Sequence, residues 1–147
     1  MYFEENVLKT QMLLWNNIQK NIFSMKGGKN MREKLYDRIA ILEQNGVISA
    51  KAATYSRHVV DLILAENKDV PQDKLEMFIT HFALAVRREE KREAVEPMDK
   101  ALLESIRNET VFVKAKQLQE CILTETGIKF SKAELEFLIL HLCNLLS

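Results

Sequence analysis

Proline and glycine are scarce in this chain, two and four in 147 residues. With so few breakers the segments between them run long, and the breakers act as punctuation. Strand patterning is also missing, because no stretch alternates polar and apolar residues long enough to form one. An excess of charge is absent: 21 Lys and Arg balance 21 Asp and Glu. Nucleic-acid binders usually carry a basic excess or a basic face, so a direct nucleic-acid role is not expected. Only two cysteines occur, Cys121 and Cys143, both inside apolar-periodic segments. They are expected as buried reduced thiols. The most apolar run, Leu135 to Leu146, is too short and too interrupted to span a bilayer. The N-terminus carries Glu4 and Glu5 without a basic start and a short apolar run, so no signal peptide is read. A cytoplasmic location without membrane contact is expected.

The usual catalytic and metal motifs are lacking too. There is no His-Glu-x-x-His and no Cys-x-x-Cys, which argues against zinc. Gly27-Gly28 is not a phosphate-binding loop, and no Gly-x-Ser-x-Gly elbow is present. Glu89-Glu90 sits in a solvated charge run. No metal, cofactor or enzymatic activity is expected.

What the chain does have is helical spacing almost everywhere. Apolar residues make up 47% and charged residues 29%, a globular composition of single-domain length. Leu35, Ile39 and Leu42 share a face of a helix over about Arg32 to Gln44, stopped by Asn45-Gly46. Ser49 is placed to cap a helix from about Ala50 to Glu66, with a stripe of Ala52, Tyr55, Val59, Leu62 and Ile63. Pro71 suits the first turn of a third helix to about Arg92, carrying Leu75, Phe78, Ile79, Phe82, Ala85 and Val86. Glu96-Pro97 opens a short helix to about Arg107 that uses Leu102, Leu103 and Ile106. A helix from about Val111 to Glu125 ends at Gly127, where Ile128 is placed to close a Schellman-type cap. Ser131-Lys132-Ala133-Glu134 has the pattern of a capping box and starts the last helix. That helix is apolar nearly all round, which places it at the bundle centre or at a subunit interface.

Residues 1–30 are set apart as an N-terminal extension, helical or disordered, ahead of a domain over 31–147. Val7, Leu14, Trp15, Ile18 and Ile22 fit an amphipathic helix. The run Lys26-Gly27-Gly28-Lys29-Asn30-Met31 also looks like a translated ribosome-binding site, which makes Met31 an alternative start.

Three histidines carry the remaining chemistry. Histidine titrates near neutrality and accepts a phosphoryl group on nitrogen. His81 falls on the flank of its helix's apolar face, expected to be partly exposed, with Arg88 on nearly the same line two turns on. His141 is the only side chain in Phe137–Leu146 that can carry a positive charge, and burying it unpaired is costly, so its partner is expected from another helix. Glu134 lies on its line, two turns back. His58 is read as structural, paired with Asp61 at i+3.

Two segments taken together are more specific than either histidine alone. The run Phe78-Ile79-Thr80-His81-Phe82-Ala83-Leu84-Ala85-Val86-Arg87-Arg88 is similar to the first histidine helix of the PRD, the phosphotransferase-system regulation domain. Gly127-Ile128-Lys129-Phe130-Ser131 with Glu134-Leu135-Glu136-Phe137-Leu138-Ile139-Leu140-His141-Leu142 resembles that family's second histidine helix and its entry. The resemblance covers about Ala50 to Ser147. It implies an all-α, compact five-helix bundle that dimerises. It implies regulation of sugar-operon transcription in bacteria, with histidines phosphorylated by a phosphocarrier protein or a sugar-permease subunit of the phosphotransferase system. His81 and His141 become candidate phosphoacceptors, and Arg88 matches the arginine after the first histidine. Thr80 stands where many members have an acidic residue, which bears on how the His81 ring is oriented. No RNA-binding or helix-turn-helix segment fits beside the domain, so a stand-alone module signalling through its dimer or a separate transcription regulator is expected. Its rivals are an unphosphorylated adaptor and a small phosphotransfer intermediate.

Overall fold

The computed structural model describes residues 29–147. The N-terminal extension and the translated-leader reading fall outside these, apart from Lys29, Asn30 and Met31 itself. Among the described residues there are six helices and no strand: α1 Met31–Gln44, α2 Ala50–Glu66, α3 Gln72–Glu90, α4 Lys100–Arg107, α5 Phe112–Thr126 and α6 Lys132–Leu146.

The six patterned segments of the sequence are all helices, whereas the five-helix bundle implied by the resemblance is corrected to six. α3 ends at Glu90, ahead of the expected Arg92. Arg92 turns left-handed (φ 54°), and the Arg92 and Glu93 N–H groups close a Schellman motif on the Glu89 and Arg88 carbonyls. The chain then runs without regular structure past Pro97, so the short helix begins later than expected. Asp99 caps it, its carboxylate accepting from the Leu102 N–H. Only Ile106 of this helix is buried; Leu102, expected in its stripe, is exposed.

Local signals explain the other boundaries. Asn30 caps α1, Ser49 caps α2 and Ser131 caps α6, each side chain accepting a backbone N–H three residues on. Gly46 (φ 71°) and Gly127 (φ 69°) occupy the left-handed position that disfavours a Cβ. At Gly46 the Schellman pair of bonds is complete. At Gly127 only its own N–H reaches back, to the Leu123 carbonyl, so the expected Schellman cap is the simpler left-handed cap. The Ile128 N–H turns instead to the Thr126 hydroxyl.

α3 is the central helix. It packs on α1 and α2 on one side and on α6 on the other, and α6 in turn packs on α5 and α4. Leu75, Phe82, Ala83 and Ala85 of α3 are completely buried. Phe82 meets Phe130 edge-on at 6.0 Å between centroids, just ahead of the α6 cap, which anchors the entry to α6 against α3. The core also includes α1, whose Leu35 and Ile39 are fully enclosed. Arg38 of α1 and Glu76 of α3, both buried, form an ion pair at 3.0 Å, and Gln72 donates to the other Glu76 oxygen at 2.9 Å. Tyr36 donates to Asp61 at 2.7 Å and Arg32 pairs with the same carboxylate at 3.1 Å, which ties α1 to α2.

Candidate functional site

The two histidine helices lie side by side and antiparallel. Three cross-helix contacts set their register. Lys74 Nζ donates to the Ser147 carbonyl at 2.7 Å, His81 meets His141, and Arg88 meets Glu134. Each step of seven residues forward along α3 matches six or seven backward along α6. Seven residues are two turns, about 10.5 Å of helix.

At the middle contact the two imidazoles stack, with centroids 3.8 Å apart and planes 6° from parallel. Both residues are partly buried. Among the described residues neither ring has a hydrogen-bond partner; the stack is its polar-group contact. Each residue keeps part of its surface exposed. Burial, and then the positive charge of Arg88, pushes His81 down from its ordinary 6.5 to about 4. Burial, then His81, then Arg88, pushes His141 down to about 3. A stacked imidazolium would be desolvated and would face a second cation nearby. Both rings are therefore neutral at pH 7, each with one nitrogen lone pair available.

The third contact is a two-pronged ion pair. Arg88 donates from Nη2 to Glu134 Oε1 at 2.8 Å and from Nε to Oε2 at 3.1 Å. The Glu134 side chain is 4% exposed and that of Arg88 15%. This occupies the carboxylate that the capping box would have turned back on Ser131. Ser131 still caps the helix, but the reciprocal bond is replaced by the bond to Arg88. Thr80 takes no part in orienting His81; its hydroxyl donates to the Glu76 carbonyl of its own helix at 2.9 Å.

Beside the stack a cleft of about 360 Å³ opens between the start of α3 and the end of α6. Lys74, Met77, Phe78, His141, Asn144 and Leu145 help to line it. His141 thus faces both its partner ring and an opening.

The structure stacks His81 on His141 and ties Arg88 to Glu134 two turns along the same seam. It leaves His58 apart, on α2, 3.4 Å from Glu125 of α5 rather than beside Asp61, which Tyr36 and Arg32 already occupy. The cysteines are both free, but Cys121 is exposed, against expectation, because α5 turns that flank outward; Cys143 is buried, and burial raises its thiol pKa. Glu134 and Lys74 are the seam residues that the sequence reading missed as partners. Among the described residues no group of three or more His, Cys, Asp or Glu is placed to hold a metal, and no helix is long and apolar enough to cross a membrane.

The family model of the PRD domain matches residues 64–145, more than half of the chain. The chain belongs to the PRD family. Both histidine helices of this PRD, with the stack and the Arg88–Glu134 pair, lie inside the match, whereas α1 and most of α2 precede it. The chain matches no curated protein and no solved structure.

Proposed function

We propose that this PRD is a regulatory module switched by phosphorylation of His81 or His141, with a phosphocarrier protein or sugar-permease subunit of the phosphotransferase system as donor. The observation that carries the reading is the stacked, neutral and partly exposed histidine pair on the α3–α6 seam. In the transfer, an imidazole lone pair forms a new N–P bond and the donor's N–P bond breaks. The donor imidazole leaves with that bond's electron pair, and the N–H proton of the acceptor ring passes to it through solvent. Bond types are conserved, so the exchange is close to balanced and reversible, as a sensor of donor loading requires.

The group brings about −1.5 to −2 charge and several strong acceptors into a partly buried seam. The charge is either repelled or drawn to Arg88, and either response works against the existing α3–α6 register. A homodimer repeats the site by symmetry and doubles the effect. The output passes through that dimer or a separate regulator of carbohydrate genes, in the cytoplasm and without direct nucleic-acid binding. The reading is of a regulatory module rather than an enzyme, as the family match suggests.

Incubation with phosphoenolpyruvate, the general kinase and the phosphocarrier tests this. The expected result is acid-labile, base-stable label that disappears in the His81→Ala, His141→Ala double variant. No label on the wild type, or full label on the double variant, overturns it. A dimer that forms yet never takes up label is the unmodified adaptor.

A further inference from the structure

We infer that Lys74 is the cation that takes up a phosphoryl group at His141, while Arg88 stays on Glu134 and holds the α3–α6 seam. The inference rests on the phosphorylation reading above and names the residue that binds the group.

The stack lies midway between two cations of α3. Lys74 is seven residues before His81 and Arg88 seven after it, each about 10.5 Å away along the helix. A charge at the stack is met only when one of these side chains swings towards it, so the cost of releasing each decides. Arg88 is held by two bonds to Glu134, whose side chain is 4% exposed. Its release leaves a buried carboxylate without its cation, a costly loss. Lys74 is held by one exposed bond, to the Ser147 carbonyl at 2.7 Å, and among the described residues no Asp or Glu side chain pairs with it. Exposed polar contacts of this kind contribute little. The lysine ammonium also rides on a flexible four-carbon stem, whereas the Arg88 fork is already matched to a carboxylate.

Access points the same way. Lys74 and His141 both line the cleft between the start of α3 and the end of α6, and neither His81 nor Arg88 does. A donor entering by the cleft meets His141 and Lys74 together. Asp73, the other charged residue of the cleft, stands in the first turn of α3, where a carboxylate complements the helix N-terminus. Arg88 weighs on both rings and Lys74 on neither, so at rest the ammonium is held off at Ser147.

This adds a response that keeps Arg88 in place. The bond of Lys74 to Ser147 is one of the three contacts that set the register of the seam. When Lys74 turns to the phosphoryl group, the last turn of α6 loses that tie to α3.

The experiment uses phosphoramidate, a small anionic donor that needs no protein recognition. An imidazole lone pair forms the new N–P bond, ammonia leaves with the electron pair of the broken P–N bond, and the ring's N–H proton passes to it through solvent. The full-length chain carries His58→Gln, so that His81 and His141 are its only histidines, and peptide mapping reads the initial rate at each. Lys74→Gln should slow labelling of His141 at least fivefold at low salt and leave His81 within twofold. Lys74→Arg should restore the rate, and the gap should close towards 1 M salt, where exposed charges are screened. The Arg88→Gln, Glu134→Gln double variant, which replaces the ion pair with two neutral amides, should label His141 within twofold of the parent. Lys74→Gln without effect at His141, or with an equal effect at both rings, overturns the inference, and the Lys74 series decides alone where the double variant does not fold. A loss confined to the folded double variant assigns the group to Arg88 and also overturns it. Label at His81 alone overturns it and leaves the phosphorylation reading intact. Label from phosphoramidate but none from the phosphocarrier overturns only the donor reading. No label from either overturns both.

Discussion

His81 and His141 are neutral in the folded chain at pH values where free imidazole takes up a proton, and this makes them a source of acid sensitivity. Burial holds them near 4 and 3 against an ordinary value of 6.5. Above about 6.5 neither the folded nor the unfolded chain protonates these rings, so their contribution to stability is fully present. Below it the unfolded chain binds protons that the folded chain refuses, and stability falls until the folded-state values are reached. The slope is about 1.4 kcal/mol per pH unit for each ring within that window. Urea denaturation from pH 7.5 to 4 should show wild-type stability falling faster than that of a His81→Phe, His141→Phe variant. A difference curve flat across the range would contradict the buried neutral pair. The same two residues show how much of the site is legible in a sequence. Periodicity places His81 and Arg88 on one line and Glu134 and His141 on another, both at a spacing of seven. Two equal spacings on antiparallel helices make matching contacts, but a one-dimensional pattern says which residues share a face, not which faces meet. The ion pair of Arg88 with Glu134 appears only once α3 and α6 are set against each other.

Among the elements, caps are the most legible feature, because a cap is a local contact between neighbours in sequence. Ser49, Ser131, Gly46 and Gly127 all serve as the sequence indicates. Where the fine pattern deviates, another partner has taken the group, as when Glu134 leaves its capping box for Arg88 and the Ile128 N–H turns to the Thr126 hydroxyl. The end of α3 is different, since nothing in Lys91-Arg92-Glu93 signals a stop and the expected helix ran to Arg92. The chain stops there by placing Arg92, a residue with a Cβ, at the left-handed position of a Schellman motif. That conformation costs an L-residue roughly 1–2 kcal/mol, part of which glycine gives back as unfolded-state entropy. Arg92 is exposed. Arg92→Gly should therefore raise stability by about 0.5–1 kcal/mol, visible as a higher urea midpoint at unchanged slope. Arg92→Val should lower it. An Arg92→Gly variant less stable than the wild type would mean that the Arg92 side chain contributes contacts outweighing the strain.

For the molecule as a whole, the family match and the folding unit have different edges. The match begins at residue 64, near the end of α2. The hydrophobic core does not begin there: Leu35, Ile39 and Leu42 of α1 and Ala52, Val59 and Val60 of α2 belong to the same buried cluster as Phe82 and Leu142. The buried Arg38–Glu76 pair crosses that edge as well. Removing α1 deletes one partner of a buried ion pair, a loss that typically costs about 3–5 kcal/mol, and uncovers one side of α3. A native domain has only about 5–15 kcal/mol in total, so the two losses together exhaust it. A chain starting at residue 64 should therefore lack a cooperative melting transition and bind a dye for exposed apolar surface. One starting at Lys29, which keeps the Asn30 cap and the 2.6 Å contact of Lys29 with Asp37, should melt in a single transition. A cooperative 64–147 fragment would show that α3 to α6 hold the histidine seam without help. With loss of folding, α1 and α2 become structural requirements for the stack, because both pack against α3, the helix that presents His81 to His141.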